Sequence, residues 1–160
     1  MDSRNKTNVM RIAEAQGVPY RSMSYDVEDG NFDGNLTAQK LHLDPDSVFK
    51  TLVCVDDKGG HIVCCIPVSR ELDLKKAARA SGHKRVEMLP LKELLLLTGY
   101  LRGGCSPVGM KKLFPTYIDE TAQLFDAISV SAGKRGEQII LASDDLCRMV
   151  GAVYADLTTE

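Results

Sequence analysis

The chain has 160 residues, 44% of them hydrophobic, a size and content suited to one domain that buries its core without metal or disulfide staples. A formal charge of −2 excludes a globally basic nucleic-acid binder and confines any RNA contact to a local patch. The five cysteines (Cys54, Cys64, Cys65, Cys105 and Cys147) show no CxxC or Cys/His spacing, which argues against structural zinc and for reduced, mostly buried thiols.

Residues 1–6 are polar and carry no apolar stretch, so they read as a flexible N-terminus ahead of a single domain over 7–160. No apolar run is long enough to cross a bilayer, and a cytoplasmic protein without membrane contact is expected. Thr7 or Asn8 caps a helix in which Val9, Ile12 and Ala13 share a face, and Gly17 with Pro19 ends it. Tyr20 to Val27 reads as strand. Tyr25 lies near its end, where the chain breaks into an acidic, glycine-rich run from Glu28 to Gly34. Phe32, an aromatic within that run, either folds back on the core or serves as a lid over a site. A helix over 36–43 follows and is closed by Asp44-Pro45.

Val48 to Val55 and His61 to Val68 are β-branched runs either side of Asp56-Asp57-Lys58-Gly59-Gly60, the pattern of a β-hairpin. In its first strand Val48, Lys50, Leu52 and Cys54 share one face, and Phe49, Thr51, Val53 and Val55 the other. Lys50 therefore stands in a strand that is apolar on both sides. A bare ammonium is costly to bury, so Lys50 either snorkels to an edge or stays charged against a partner, which makes it a site candidate.

Asp73 to Ser81 is a helix carrying Lys75, Lys76 and Arg79. It reads as a solvated charged face, with a tRNA-contacting patch as the alternative. A strand over 86–89 and a helix over 91–98, opened by Pro90 and stopped by Gly99, lead into Leu101-Arg102-Gly103-Gly104-Cys105-Ser106-Pro107-Val108-Gly109. That loop is either an ordinary tight turn or a cradle whose N–H groups hold an anion or oxyanion. Beyond it come a strand over 116–118, a helical turn over 119–124, strands over 126–130 and 138–142 joined by a turn over 131–136, a helix over 144–150 capped by Ser143, and a last strand over 153–157. Adjacent hairpins without regular βαβ alternation indicate a mixed α/β fold, a compact mixed sheet or barrel flanked by helices.

The familiar catalytic patterns are missing: there is no GxSxG elbow, HExxH, Walker loop or GxGxxG, and no metal or cofactor is expected. His42, His61 and His83 read as surface histidines rather than bases. Cys105 sits in the glycine loop with no base near it in sequence, which favours a small loop-filling residue over a nucleophile.

With Phe49-Lys50-Thr51-Leu52, then Gly103-Gly104-Cys105-Ser106-Pro107, then Ser131-Ala132-Gly133-Lys134-Arg135-Gly136 in this order, the sequence resembles the YbaK/EbsC family of bacterial Cys-tRNA(Pro) deacylases, relatives of the prolyl-tRNA synthetase editing domain. The resemblance runs from Thr7 to about Leu157. It implies a trans-editing enzyme that clears cysteine mischarged on tRNA(Pro) and acts on the aminoacyl-tRNA 3′ end, with prolyl-tRNA synthetase as a candidate partner. It further implies that the cysteinyl thiol attacks its own ester, so that no enzymatic base is required. Lys50, Gly103, Gly104 and Ser106 would then form the catalytic set. Tyr25, Phe32, Thr51, Cys105, Pro107 and Ser131 would bind substrate. Two other readings remain open: a deacylase that uses bound water on another small amino acid such as alanine, and a module that binds aminoacyl-tRNA or a synthetase without turnover.

Overall fold

The structure, a computed structural model, describes residues 6–27, 30 and 33–159. In chain order the elements are α1 (Asn8–Ala15), β1 (Arg21–Ser24), α2 (Gly34–Leu41), a 3-10 turn (Pro45–Ser47), β2 (Phe49–Asp56), β3 (His61–Pro67), α3 (Leu74–Ser81) and β4 (Val86–Met88). A second 3-10 turn (Leu91–Glu93) then runs into α4 (Leu94–Thr98), followed by β5 (Thr116–Asp119), a third turn (Glu120–Leu124), β6 (Ile128–Ser131), β7 (Glu137–Leu141), α5 (Ser143–Val150) and β8 (Val153–Ala155). The strands form a five-stranded sheet in the order β4-β2-β3-β5-β8 and a three-stranded sheet in the order β1-β7-β6. The mixed α/β architecture expected from the sequence is the one that forms.

The β2–β3 hairpin organises the molecule. Its strands pair antiparallel from Phe49 opposite Pro67 to Val55 opposite His61. Phe49 and Val53 join the main core with Val9, Met10, Ile118, Ile139 and Leu146, while Cys54, with Leu52 packed beside it, meets Ala77 and Ala78 of α3 on the opposite face. Val48 packs with Ala38 of α2 and Val68. Helices cover both faces, which is why β2 lacks the alternation of a half-exposed strand.

The outer edge of β2 decides where a cleft can open. At one end Cys54 to Asp56 pair with β4, and the Leu89 N–H donates to the Val53 carbonyl at 3.0 Å. At the other end Val48 makes a parallel bridge to Ser129 of β6, joining the two sheets. Among the described residues no strand pairs with residues 50–52 on that edge, which lie between the β4 and β6 pairings.

Local chemistry accounts for most element boundaries. The Thr7 hydroxyl accepts from the Met10 N–H, and the Asp33 and Asp73 carboxylates cap α2 and α3 in the same way. Several boundaries differ from the sequence expectation, among them the helix expected over 36–43, which spans Gly34–Leu41, and the strand expected over 153–157, which ends at Ala155. The strand expected over Tyr20–Val27 is confined to Arg21–Ser24, the length that β7 can pair. The helix expected over 91–98 splits into a 3-10 turn and α4. Ser131 belongs to β6 instead of the turn after it. Ser143 lies inside α5, with Ala142 at the cap, because its hydroxyl is bonded to the Tyr154 hydroxyl at 2.7 Å.

Candidate functional site

A cavity of about 910 Å³ occupies the gap on the outer edge of β2. Val48 to Val53 form its floor, Tyr25, Gly34 and Thr37 stand on one side, and Met88, Leu89, Leu91 and Leu94 on another. Arg102, Gly103 and Cys105 of the glycine loop, with Ser131 of β6 and Gln138 of β7, complete the wall.

Lys50 is half-buried in this wall, and among the described residues no carboxylate pairs with it. Lys50 thus lines the cavity at the edge of β2. Thr51 projects to the opposite face of β2, where its hydroxyl lies 3.9 Å from the Cys65 sulfur. Its N–H and C=O point, like the bonded carbonyl of Val53 two residues on, to the uncovered edge. Ser131 is nearly buried, and its hydroxyl accepts from the Gly133 N–H at 3.1 Å. Gln138 is held by the Ser129 hydroxyl, which donates to its Oε1 at 2.8 Å.

The glycine loop is braced from within. Gly104 donates its N–H to the Leu101 carbonyl at 3.0 Å, and the Ser106 hydroxyl accepts from the Val108 N–H at 3.2 Å. The Tyr100 hydroxyl donates to the Val108 carbonyl at 2.5 Å. The loop is also fastened to the turn after β6, since Arg135 Nε donates to the Arg102 carbonyl at 2.8 Å. A Cβ on Gly104 would stand 3.0 Å from the Arg135 nitrogen and 3.3 Å from the Lys134 carbonyl carbon. Gly104 is therefore what lets loop and turn touch. Gly103 reaches the cavity with φ +86°, a conformation that suits glycine.

The structure thus brings Lys50, Thr51, Tyr25, Gly103, Cys105 and Ser131 together, and it sets Gly104, Ser106 and Pro107 behind the lining as buried parts of the loop. The Gly104 N–H and the Ser106 hydroxyl are bonded inside the loop, and none of the three residues lines the cavity. Phe32 lies outside the described residues. Sequence reading missed Arg102, Gln138 and Asp33, and the apolar side built by Met88, Leu91 and Leu94. Arg102 stood in plain view beside the glycines. Gln138 carried no signal until β7 was registered against β6.

The electrostatics argue against a nucleophile from the protein. Burial pushes the Cys105 thiol up to about 12, against a weaker opposing hydrogen bond with Thr98, so it stays protonated near neutrality. No histidine lines the cavity. His42 ends α2, His61 packs edge-on against Phe114, and His83 contacts Asp57 at 2.8 Å and Asp56 at 3.3 Å. Asp56, Asp57 and His83 are the one metal-competent cluster among the described residues, and they sit at the hairpin turn away from the cavity. Asp56 is committed there to the N–H groups of Lys58 and Gly60. In α3, Lys76 is bonded to Asp156 and to the Thr158 carbonyl, and none of the helix's cations lines the cavity. No helix among the described residues is long and apolar enough to cross a membrane.

Comparison with known proteins bears on this geometry. EbsC of Enterococcus faecalis, named for deacylation of Cys-tRNA(Pro) and Cys-tRNA(Cys), is 48% identical over 99% of this chain and 96% of its own length. Among solved structures, one described as a trans-editing enzyme for prolyl tRNA synthetase superposes with TM-score 0.82 at 24% identity, covering 96% of this chain and 99% of the other. A hypothetical protein superposes with TM-score 0.86 at 22% identity, covering 96% and 100%. These two establish a shared fold. The model of the aminoacyl-tRNA editing domain matches residues 35–149, which include Lys50, the glycine loop and Ser131, and the chain belongs to that family.

Proposed function

We propose that the protein removes cysteine from mischarged tRNA(Pro), and that the cysteinyl thiol of the substrate is the nucleophile. The observation that carries this reading is a cavity furnished with a cation, Lys50, that no carboxylate pairs with among the described residues, and with a glycine loop, but with no histidine and no ionised thiol. An aminoacyl ester is already activated. Positioning and charge stabilisation suffice if the nucleophile arrives with the substrate.

In the proposed sequence the thiol gives up its proton and its sulfur attacks the ester carbonyl. Negative charge then develops on the carbonyl oxygen, where the Lys50 ammonium and the Gly103 backbone stabilise it. The bond from the carbonyl carbon to the terminal ribose oxygen breaks, and that oxygen takes a proton equivalent to the one lost by sulfur. A cysteine thiolactone leaves, and water opens it to free cysteine. Tyr25, Thr51, Ser131 and Gln138 hold the terminal nucleoside and the amino group. The relative's name joins tRNA(Pro) with tRNA(Cys), which supports loose reading of the tRNA body and selectivity placed in the chemical step. Prolyl-tRNA synthetase would then supply tRNA discrimination as a partner, and the cytoplasm would be the place of action.

The test is paired single-turnover deacylation of Cys- and Ser-tRNA(Pro), with products separated. Serine is nearly isosteric, but its hydroxyl is a weak nucleophile without a neighbouring base. Comparable binding, far slower reaction of the seryl ester and a transient thiolactone are expected. Equal rates, or solvent oxygen entering the cysteine carboxylate with no thiolactone intermediate, would establish a bound-water hydrolase instead.

A further inference from the structure

The rim of the cavity is not uniform. On one side Met88 and Leu91 are 45% and 56% exposed, an apolar part of the lining with exposed Lys92 beside Leu91 in the same turn but outside the lining. On another stands Asp33, whose carboxylate caps α2 by accepting from the Asn35 N–H at 3.0 Å. The third side is cationic. Arg102 is exposed and lines the cavity, and exposed Lys134 lies in the turn to which the Arg102 segment is fastened. Two contacts make that fastening: Arg135 Nε donating to the Arg102 carbonyl at 2.8 Å, and the approach of Gly104 to the backbone of Lys134 and Arg135. Two basic loops are therefore locked together at one lip.

We infer that the sugar-phosphate strand of an RNA whose 3′ end occupies the cavity leaves across this lip, with Arg102 and Lys134 neutralising the phosphates adjoining the terminal nucleoside. The inference rests on the deacylase reading, since it takes the occupant to be an RNA 3′ end. A single strand carries one negative charge per nucleotide, and it gains by displacing counterions only where fixed cations replace them. Among the described residues Arg102 is the exposed cation in the lining itself, and its segment is fastened to the turn that carries exposed Lys134. The lip also explains why a chain of formal charge −2 can take a polyanion: the basic residues needed are few and are held in place by backbone contacts. Lys75 and Arg79 of α3, the basic run most visible in the sequence, play no part in this path.

The test compares wild type, Arg102→Glu, Lys134→Glu and the double variant Lys75→Glu/Arg79→Glu on two substrates, Cys-tRNA(Pro) and 3′-cysteinyl adenosine, which has no phosphate. Each lip variant is expected to lower kcat/KM on the tRNA about tenfold through KM, and to flatten the logarithmic salt dependence by about 0.7 per lost phosphate contact. The loss on the adenosine ester should be much smaller, and the α3 variant should keep the wild-type slope. Lip variants with wild-type KM and slope, or with equal losses on both substrates, would overturn the inference. Binding of uncharged tRNA(Pro) to the same variants reads the lip independently of chemistry. A wild type that binds with the expected slope, is weakened by the lip substitutions, yet deacylates neither substrate would retire the deacylase reading and leave the lip standing.

Discussion

Two regions line the cavity with polar residues, and they treat those residues in opposite ways. In β2, Lys50 sits in regular secondary structure whose backbone needs are met by β3, so its ammonium is left to face the cavity. In the glycine loop, backbone and side-chain groups alike are spent on the loop itself: Ser106 on Val108, Gly104 on Leu101, Tyr100 on Val108. A loop without a ladder must find its own hydrogen-bond partners, because unpaired buried polar groups are costly. Motif membership therefore does not by itself mean contact with substrate, and the uncommitted group is the better candidate.

The sharpest way to break this comparison is Lys50→Ala. Loss of a cation set against developing charge should cost about 3 kcal/mol of transition-state stabilisation, on the order of a hundredfold in kcat/KM. The melting temperature should hold or rise, since a half-buried charge with no carboxylate partner among the described residues contributes no stability. Unaltered turnover in a folded variant would remove Lys50 from the site.

Gly104→Ala probes the other region. Its Cβ would press on the backbone of Lys134 and Arg135, which cannot swing aside as a side chain would. A stability loss of about 1–3 kcal/mol is expected, with a roughly tenfold fall in kcat/KM, read by thermal unfolding and steady-state kinetics together. A fall in activity at unchanged stability would instead mark Gly104 as a residue facing the substrate.

Ser106→Ala should separate scaffold from chemistry more finely. The Val108 N–H would lose its partner in a buried setting, at a cost of about 1–2 kcal/mol in unfolding free energy. The maximal rate in the surviving folded enzyme should change far less than with Lys50→Ala. A Ser106 variant that keeps full stability and loses kcat would show the hydroxyl at work on the ester.

The smallest effect belongs to Cys105→Ala. Because burial raises this thiol to about 12, it is not the group that ionises as activity climbs toward the thiol range, and the pH-rate profile should be preserved. Stability should respond at the alkaline end. Between the ordinary thiol value of 9.0 and about 12 the folded protein keeps a proton that the unfolded chain loses, so wild-type stability falls as pH rises through that window. The alanine variant should show a shallower fall, measured by denaturant unfolding across the series. Cys65, raised by burial to about 12 as well, retains its share of the slope.

Much was legible in the chain because it depends on local rules. The hairpin followed from two β-branched runs about an Asp/Gly turn, and α1 and α3 from their Thr7 and Asp73 caps and terminal glycines. Lys50 drew attention because a charge amid apolar neighbours is expensive wherever the strand ends up. What sequence could not supply was the partition of an edge. That β2 is shared between β4 and β6, leaving residues 50–52 uncovered between them, depends on pairings across 30 residues or more of chain, such as Val48 with Ser129 and Cys54 with Met88. The same long-range packing fastened the Arg102 segment to the turn that carries Lys134 and Arg135, placed Gln138 in the wall, and turned Gly104 and Ser106 inward. Residue type and spacing determined which groups could do chemistry, and tertiary structure alone decided which of them were left free to do it, because commitment to a hydrogen bond or an ion pair is settled only when distant segments meet.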